Sequence, residues 1–333
     1  MEFINKTLMY YTMNILNIKG IIDGETIKWN SQTQQLCVPQ VLYTPNNTGE
    51  PNFIIVLTGQ SNSQGIGGRY DLNNSNDQSH NRIMAWNQGY IDYAIGYPWF
   101  QDGGNIGWEV ADLQNTIGTK LHNDQCFAFH FAKHLVNAYN DIVVGIINCG
   151  LGAQRIARWA IFPETSKWYK YNINYWRNQG DIFELHKCII DLALSKIQHK
   201  HVNAILWHQG ESDGDWEVHG QNNTNPDYYK NALQQVIHQY RSLQYTNPHT
   251  PFIVGETTGA DYNGSNVGWE ARNIQLRELN IDSDLYTKCV HTADLPFSKE
   301  NGFDDYVHFS SESHRKMGLR YLLKYKEILA ETQ

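Results

Sequence analysis

Phe53-Ile-Ile-Val-Leu-Thr-Gly-Gln-Ser-Asn-Ser-Gln-Gly65 is an apolar run that stops at a glycine and hands over to small polar residues. The run from Phe53 to Leu57 is unbroken, which reads as a buried strand flanked by turn residues. Gly59 and Gly65 allow the backbone to turn sharply and a substrate to approach closely. Ser61 stands two residues beyond Gly59, at the carboxyl end of the strand. In an open α/β sheet the crevice outside the strand C-termini is where ligands bind. A serine there is exposed to substrate yet anchored by a rigid strand. The same pattern also describes an ordinary βα turn, so the reading depends on what the rest of the chain supplies.

Three further segments supply it. Near the C-terminus stands Asp305-Tyr-Val-His308, followed by Phe309-Ser-Ser-Glu and a helical pattern. A serine nucleophile needs a base, and the base needs a carboxylate to hold its tautomer and stabilise the imidazolium. An Asp three residues before a His is expected to supply both on one short turn. Ala204-Ile-Leu-Trp-His-Gln-Gly-Glu-Ser-Asp213 is again a strand leading into a polar turn, with Gln209 just past its end. A side-chain amide there is expected to donate to a developing oxyanion. Val143-Val-Gly-Ile-Ile-Asn-Cys-Gly-Leu-Gly-Ala-Gln154 repeats the design, with Arg155, Arg158 and Trp159 following.

In order and content these blocks resemble the SGNH-hydrolase superfamily. The likeness lies in Gly59-Gln-Ser-Asn62, Gly150-Leu-Gly-Ala-Gln-Arg-Ile-Ala-Arg-Trp159, Trp207-His-Gln-Gly-Glu-Ser-Asp213 and Asp305-x-x-His308, and it is greatest to the sialate O-acetylesterase and acetylxylan esterase branch. It runs from about Phe53 to the C-terminal helix. It implies a three-layer α/β sandwich with a mainly parallel central sheet, SGNH or flavodoxin-like. It also implies a serine esterase that removes O-acetyl groups from a sialic acid or polysaccharide through an acetyl-serine, without cofactor or metal. By this resemblance Ser61 is the nucleophile, His308 the base and Asp305 its orienter, and Gln209 takes the oxyanion role. The branch has a glycine-proline-glycine turn before its Phe-Ala helix, where this chain reads Leu121-His-Asn-Asp-Gln-Cys-Phe-Ala128. Asn123 is the expected backbone donor from that turn. Glu211, Gly59 and Asn62 are expected to stand behind the reacting groups, Glu211 through Arg155 or Arg158. Arg155 and Trp159 are the expected substrate contacts, with Arg69, Arg155 or Arg158 able to pair a sugar carboxylate bidentately.

Composition is compatible with this reading and narrows it. The chain has 333 residues with a formal net charge of −8 and a pI near 5.9. It has no basic stripe to meet phosphates, so a nucleic-acid partner is not expected. No run approaches the length of a membrane span, and the N-terminus shows no apolar signal core or small-residue cleavage site. The five cysteines are an odd number without a C-x-x-C pair, and they read as small buried hydrophobes suited to a reducing compartment. Ten Trp and twenty Tyr offer faces for sugar stacking, among them Trp86, Trp99, Trp108, Trp159 and Trp168, although most such residues serve cores. No oligomeric state follows from the sequence.

Strands are expected near 53–57, 82–86, 143–148, 204–207, 252–255 and 286–291, alternating with helices, which implies a parallel sheet covered on both faces. The absence of a linker assigns residues 51–333 to one esterase domain. Residues 1–50 are expected as a short β-rich arm or hairpin layer. The stretches 71–125 and 162–180 read as insertions over the site. Ser310 or Ser311 is the expected cap of a last helix carrying Met317, Tyr321, Leu322 and Ile328 toward the sheet. His130 and His134 have the spacing of a zinc pair but lack the glutamate of H-E-x-x-H, so they are expected as a helix-surface pair. An α/β-hydrolase is disfavoured because G-x-S-x-G is missing. A non-catalytic glycan-binding or structural protein retaining the hydrolase fold is disfavoured because Ser61, Asp305, His308 and Gln209 are all present.

Overall fold

The computed structural model describes residues 28–30, 35–37, 49–71, 73–87, 90–92, 99–101, 107–111, 126–169, 179–213, 227–258, 267–279, 284–300 and 303–332. Two short antiparallel pairs precede or interrupt the main sheet: β1 (Lys28–Asn30) with β2 (Gln35–Cys37), and β5 (Tyr90–Asp92) with β6 (Trp99–Gln101). The central sheet has seven strands. They are β3 (Phe53–Gly59), β4 (Ile83–Asn87), β7 (Gly107–Val110), β8 (Val144–Gly150), β9 (Val202–His208), β10 (Phe252–Gly255) and β11 (Thr287–Val290). Their spatial order is β11-β10-β9-β3-β8-β4-β7. Every pairing is parallel except that of β4 with β7.

β3 is central because every residue in it is buried. Successive side chains of a strand point to opposite faces. Ile54 and Val56 therefore enter one core, and Phe53, Ile55 and Leu57 the other. The first core is closed by α3 (Asp181–Ser195) and α4 (Tyr228–Arg241). The second is closed by α2 (Phe127–Ala138) and α6 (Ser311–Thr332). A one-turn helix, α1 (Ser61–Gln64), follows β3, and α5 (Val267–Glu278) follows β10. The result is the expected three-layer α/β sandwich. No described helix is long and apolar enough to cross a membrane.

Caps and helix ends follow from side-chain chemistry. Ser310 caps α6, its Oγ accepting from the Ser313 N–H at 3.3 Å, and Met317, Tyr321, Leu322 and Ile328 are buried as their spacing requires. Arg82 closes the other end of a helix. Its guanidinium donates to the carbonyl of Val136 in the last turn of α2 and to those of Tyr139, Asn140 and Ile142 in the segment that follows.

Several expectations change. The stretch 71–125 is not simply an insertion, because it supplies β4 and the unexpected antiparallel edge strand β7, whose Trp108 packs edge-on against Trp86 at 5.7 Å. Trp168 is buried against Tyr228. Cys126, Cys149 and Cys289 are buried as expected, whereas Cys188 is exposed on α3. His130 is not a surface residue: it is buried with its Nε2 4.0 Å from the Asp77 carboxylate, which Arg315 also engages. The expected arm over residues 1–50 is described only at β1 and β2, and residues 170–178 lie outside the described part of the chain.

Three buried histidines make stability pH-dependent. Burial pushes His130, His186 and His314 each down to about 3. An unfolded imidazole titrates near 6.5, so below that pH the unfolded chain binds protons that the folded protein refuses, and stability falls. The contribution is fully present above about pH 6.5 and is lost as the pH drops toward about 3. Urea unfolding between pH 7.5 and 5.5 is expected to show a loss of about 1 kcal/mol per histidine. Stability independent of pH across that window would contradict the burial of these imidazoles.

Candidate active site

The register of the sheet brings three strand ends level. Gly59 of β3 pairs with Gly150 of β8 on one side and with His208 of β9 on the other. From β3 the chain fills positions on the β8 side and then crosses to β9, so β3 marks the topological switch point. The residues just past these ends line a cleft of about 290 Å³: Gln60 and Ser61 after β3, Gly152 and Ala153 after β8, Glu211 and Ser212 after β9. Ile66, Trp269, Val307 and His308 close it.

Gly59 is what allows Ser61 to reach that cleft. Its φ is 127°, and a Cβ there would lie 2.1 Å from the His208 carbonyl oxygen. Only glycine fits so close a crossing. The turn is then tied to β9 by the Gln60 N–H and the Ser63 hydroxyl, which both donate to that carbonyl. Ser61 opens α1, whose Ser63 and Gln64 N–H groups donate back to the Gln60 carbonyl. Ala153, across the cleft, is the one non-glycine residue with positive φ among those described, at 56°. Such a conformation is held at a cost by its surroundings and is frequent at functional sites.

His308 and Asp305 meet by a route different from the short turn expected of them. Both lie in β13 (Phe303–Phe309), paired antiparallel with β12 (Phe297–Glu300). In a regular strand residues three apart point to opposite faces. Here Phe297 pairs with Phe309 while its neighbour Ser298 pairs with Asp305, so one step along β12 spans four along β13. The resulting bulge curls residues 306–308 and turns the two side chains together. His308 Nδ1 lies 2.7 Å from Asp305 Oδ2, and the N–H groups of Val307 and His308 donate to Oδ1 at 3.2 Å. Burial raises the Asp305 carboxyl, but the bonds from His308 and from these N–H groups outweigh it and hold the group below its usual range. A carboxylate only accepts, so Nδ1 carries the proton and Nε2 is left as the basic nitrogen.

Asn62, fully buried, follows Ser61 in the chain and bonds the peptide groups that flank His308. Its Nδ2 donates to Glu211 Oε1 at 2.6 Å and to the Val307 carbonyl at 3.0 Å, and its Oδ1 accepts from the Phe309 N–H at 3.1 Å. Glu211 therefore braces the site through Asn62, with His208 Nε2 3.5 Å away, and not through Arg155 or Arg158 as expected. Burial raises the Glu211 carboxyl, yet its contacts with His208 and Asn62 leave it below the usual carboxylate range. Arg158 instead clasps Asp181 with two hydrogen bonds.

The other expected site residues separate. Gln209 is fully buried and is not among the described residues that line the cleft. Its amide nitrogen donates to Asp213 Oδ2 at 2.5 Å, to the Gln154 carbonyl at 3.1 Å and to Gln60 Oε1 at 3.3 Å, so the amide is engaged by the turns that follow β3, β8 and β9. Trp159 is a core residue, fully buried and edge-on to Trp207 at 5.4 Å, which removes it as a sugar platform. Arg155 is half-buried, two residues beyond Ala153. Asn123 lies outside the described residues. Sequence reasoning missed Trp269, which carries no local signal of a site. It also missed Gly67, whose φ is 96° and whose added Cβ would lie 2.3 Å from His308 Cβ.

Gly67→Ala is therefore expected to displace His308 and to lower kcat for an aryl acetate by at least about tenfold, as small misplacements of reacting groups do. Wild-type kcat in that variant would contradict the packing of Gly67 on His308.

The sequence model of a family described as "carbohydrate esterase, sialic acid-specific acetylesterase" matches residues 51–327. No curated protein matches the chain. Among solved structures, a protein from Arabidopsis thaliana is 21% identical with a TM-score of 0.52, covering 83% of this chain and 98% of its own. A carbohydrate acetylesterase from Xanthomonas citri is 15% identical with a TM-score of 0.58, covering 84% of this chain and 57% of its own. NanS is also 15% identical, with a TM-score of 0.57 and coverage of 84% and 98%. At these identities the structural likeness establishes the α/β fold.

Proposed function

The chain belongs to the carbohydrate esterase family of sialic acid-specific acetylesterases, and on that premise we propose that it hydrolyses O-acetyl esters of carbohydrate through an acetyl-Ser61 intermediate. The observation that carries this reading is one cleft holding both Ser61 and His308, with the His308 Nδ1 bonded to Asp305.

In the proposed reaction His308 Nε2 takes the Ser61 hydroxyl proton as Oγ attacks the acetyl carbonyl. Asp305 holds the imidazole and stabilises its charged form. Charge on the tetrahedral oxygen falls to N–H groups at the start of α1 and in the Gly152 turn, in place of the Gln209 amide. The sugar oxygen leaves with the proton returned by His308. Water then attacks the acetyl-serine, giving its proton to His308, and acetate departs as Ser61 is regenerated. The cleft suits the task in size, and the apolar side chains of Ile66, Val307 and Trp269 give the acyl methyl a dry wall.

The family match favours a sialic acid as the sugar. A sialic acid carries a carboxylate that an arginine would pair. Arg155, half-buried two residues beyond the cleft-lining Ala153, is the proposed contact. Acetate release is expected from acetylated sialic acids and from 4-nitrophenyl acetate, falling at least about 10³-fold in Ser61→Ala. Arg155→Ala is expected to raise KM for the sialic acid and to leave the aryl ester unaffected. Turnover by Ser61→Ala at the wild-type rate would remove the serine mechanism. Activity on acetylxylan but not on acetylated sialic acid would remove the assigned sugar and leave the esterase.

A further inference from the structure

A base separated from its nucleophile by most of the chain works only if something fixes the distance between them. Asp305 fixes the orientation of the His308 ring, but it lies in the same strand and moves with it. We propose that Asn62 is the positioning residue that registers His308 against Ser61, an inference that rests on the reading of those two residues given above.

The argument begins with what Asn62 touches. Its side chain bonds the peptide groups on either side of His308, donating to the Val307 carbonyl and accepting from the Phe309 N–H across 247 positions of chain. A side-chain amide has the donor and acceptor of a peptide group, so Asn62 acts toward β13 as a single residue of a neighbouring strand. The residue it holds between those bonds is the base. The residue before it in the chain is the nucleophile, so one peptide link separates the clamp from Ser61 and leaves little slack.

Asparagine is the residue this job requires. Serine or threonine has too few groups. Aspartate lacks the donor and would set a second carboxylate against Glu211. Glutamine is one methylene too long for the same register. The orientation of the amide is also determined: Glu211 Oε1 and the Val307 carbonyl only accept and the Phe309 N–H only donates, which puts Nδ2 on their side and Oδ1 on the other. Glu211 thus acts through Asn62, as Asn62 acts through His308. Gly67 also packs against His308 with room for no Cβ, which limits the freedom of the strand further.

A double-mutant cycle separates positioning from bulk stability. Asn62→Ala is expected to lower kcat for 4-nitrophenyl acetate about 10²-fold with KM within about threefold, the size associated with a misplaced reacting group. Introduced into His308→Ala, the same substitution is expected to change kcat less than about twofold, because no base remains to be positioned. Asn62→Asp, close in volume, covers the case in which the alanine variant does not fold. It is expected to lose activity similarly and to regain about tenfold when Glu211→Gln is added, since the new amide can donate to the new carboxylate. Equal losses in both backgrounds, or a lowered Tm with unchanged kcat, would overturn the inference. If His308→Ala alone kept the wild-type kcat, the esterase reading itself would fail and this inference with it.

Discussion

The parallel register of β3 between β8 and β9 is the constraint from which the rest of the molecule follows. All seven residues of β3 are buried, and the strand divides its side chains between two cores. A slip of one residue would exchange every side chain between those cores, so hydrophobic burial itself fixes the register. With that register Gly59, Gly150 and His208 end level. The turns that follow must then share one crevice, and Ser61 cannot avoid being in it. The place of Ser61 is here a by-product of core packing, carried outward by the short segment from Gly59 to Ser61.

His308, the proposed base, arrives from a different source. β13 belongs to a hairpin outside the central sheet, so core packing does not set its place to a fraction of an ångström. Polar contacts take over that task. Asn62, Glu211 and His208 form a buried group directly beneath the cleft, and Asn62 alone makes three hydrogen bonds. Buried polar groups are costly unless partnered, which is what makes the three bonds of Asn62 directional. The Gln209–Asp213–Gln154 bonds do the same for the two turns behind Ser61.

Much of this was legible in the sequence, and the reasons for the rest are physical. The apolar strand at Phe53 and the periodic helices that carry Tyr240 and Ile328 were readable because burial imposes period on the chain. Ser61, Asp305 and His308 stood out because the proposed chemistry needs those residue types in that order, and the structure brings Ser61 and His308 into one cleft with Asp305 on the His308 ring. What escaped was whatever depends on direction. Gln209 occupies the expected position, but its amide turns to Asp213, an acceptor four residues ahead that a linear pattern does not rank above an oxyanion. Trp159 resembled a sugar platform because a tryptophan near a glycine turn looks the same whether it faces the core or the cleft. The bulge that joins Asp305 to His308 was invisible because it is set by the pairing with β12. Trp269 reaches the cleft from a helix with no sequence feature of a site. Gly67 reads as a plain turn glycine until His308 is placed beside it.

The most direct test of the account is the identity of the serine that reacts with an alkyl fluorophosphonate, read by peptide mass mapping after labelling the intact protein. The account predicts one labelled residue, Ser61, with labelling slowed by at least about 10²-fold in His308→Ala, since the base that activates the hydroxyl is gone. Labelling at any other serine, or labelling of Ser61 at an unchanged rate without His308, would contradict it.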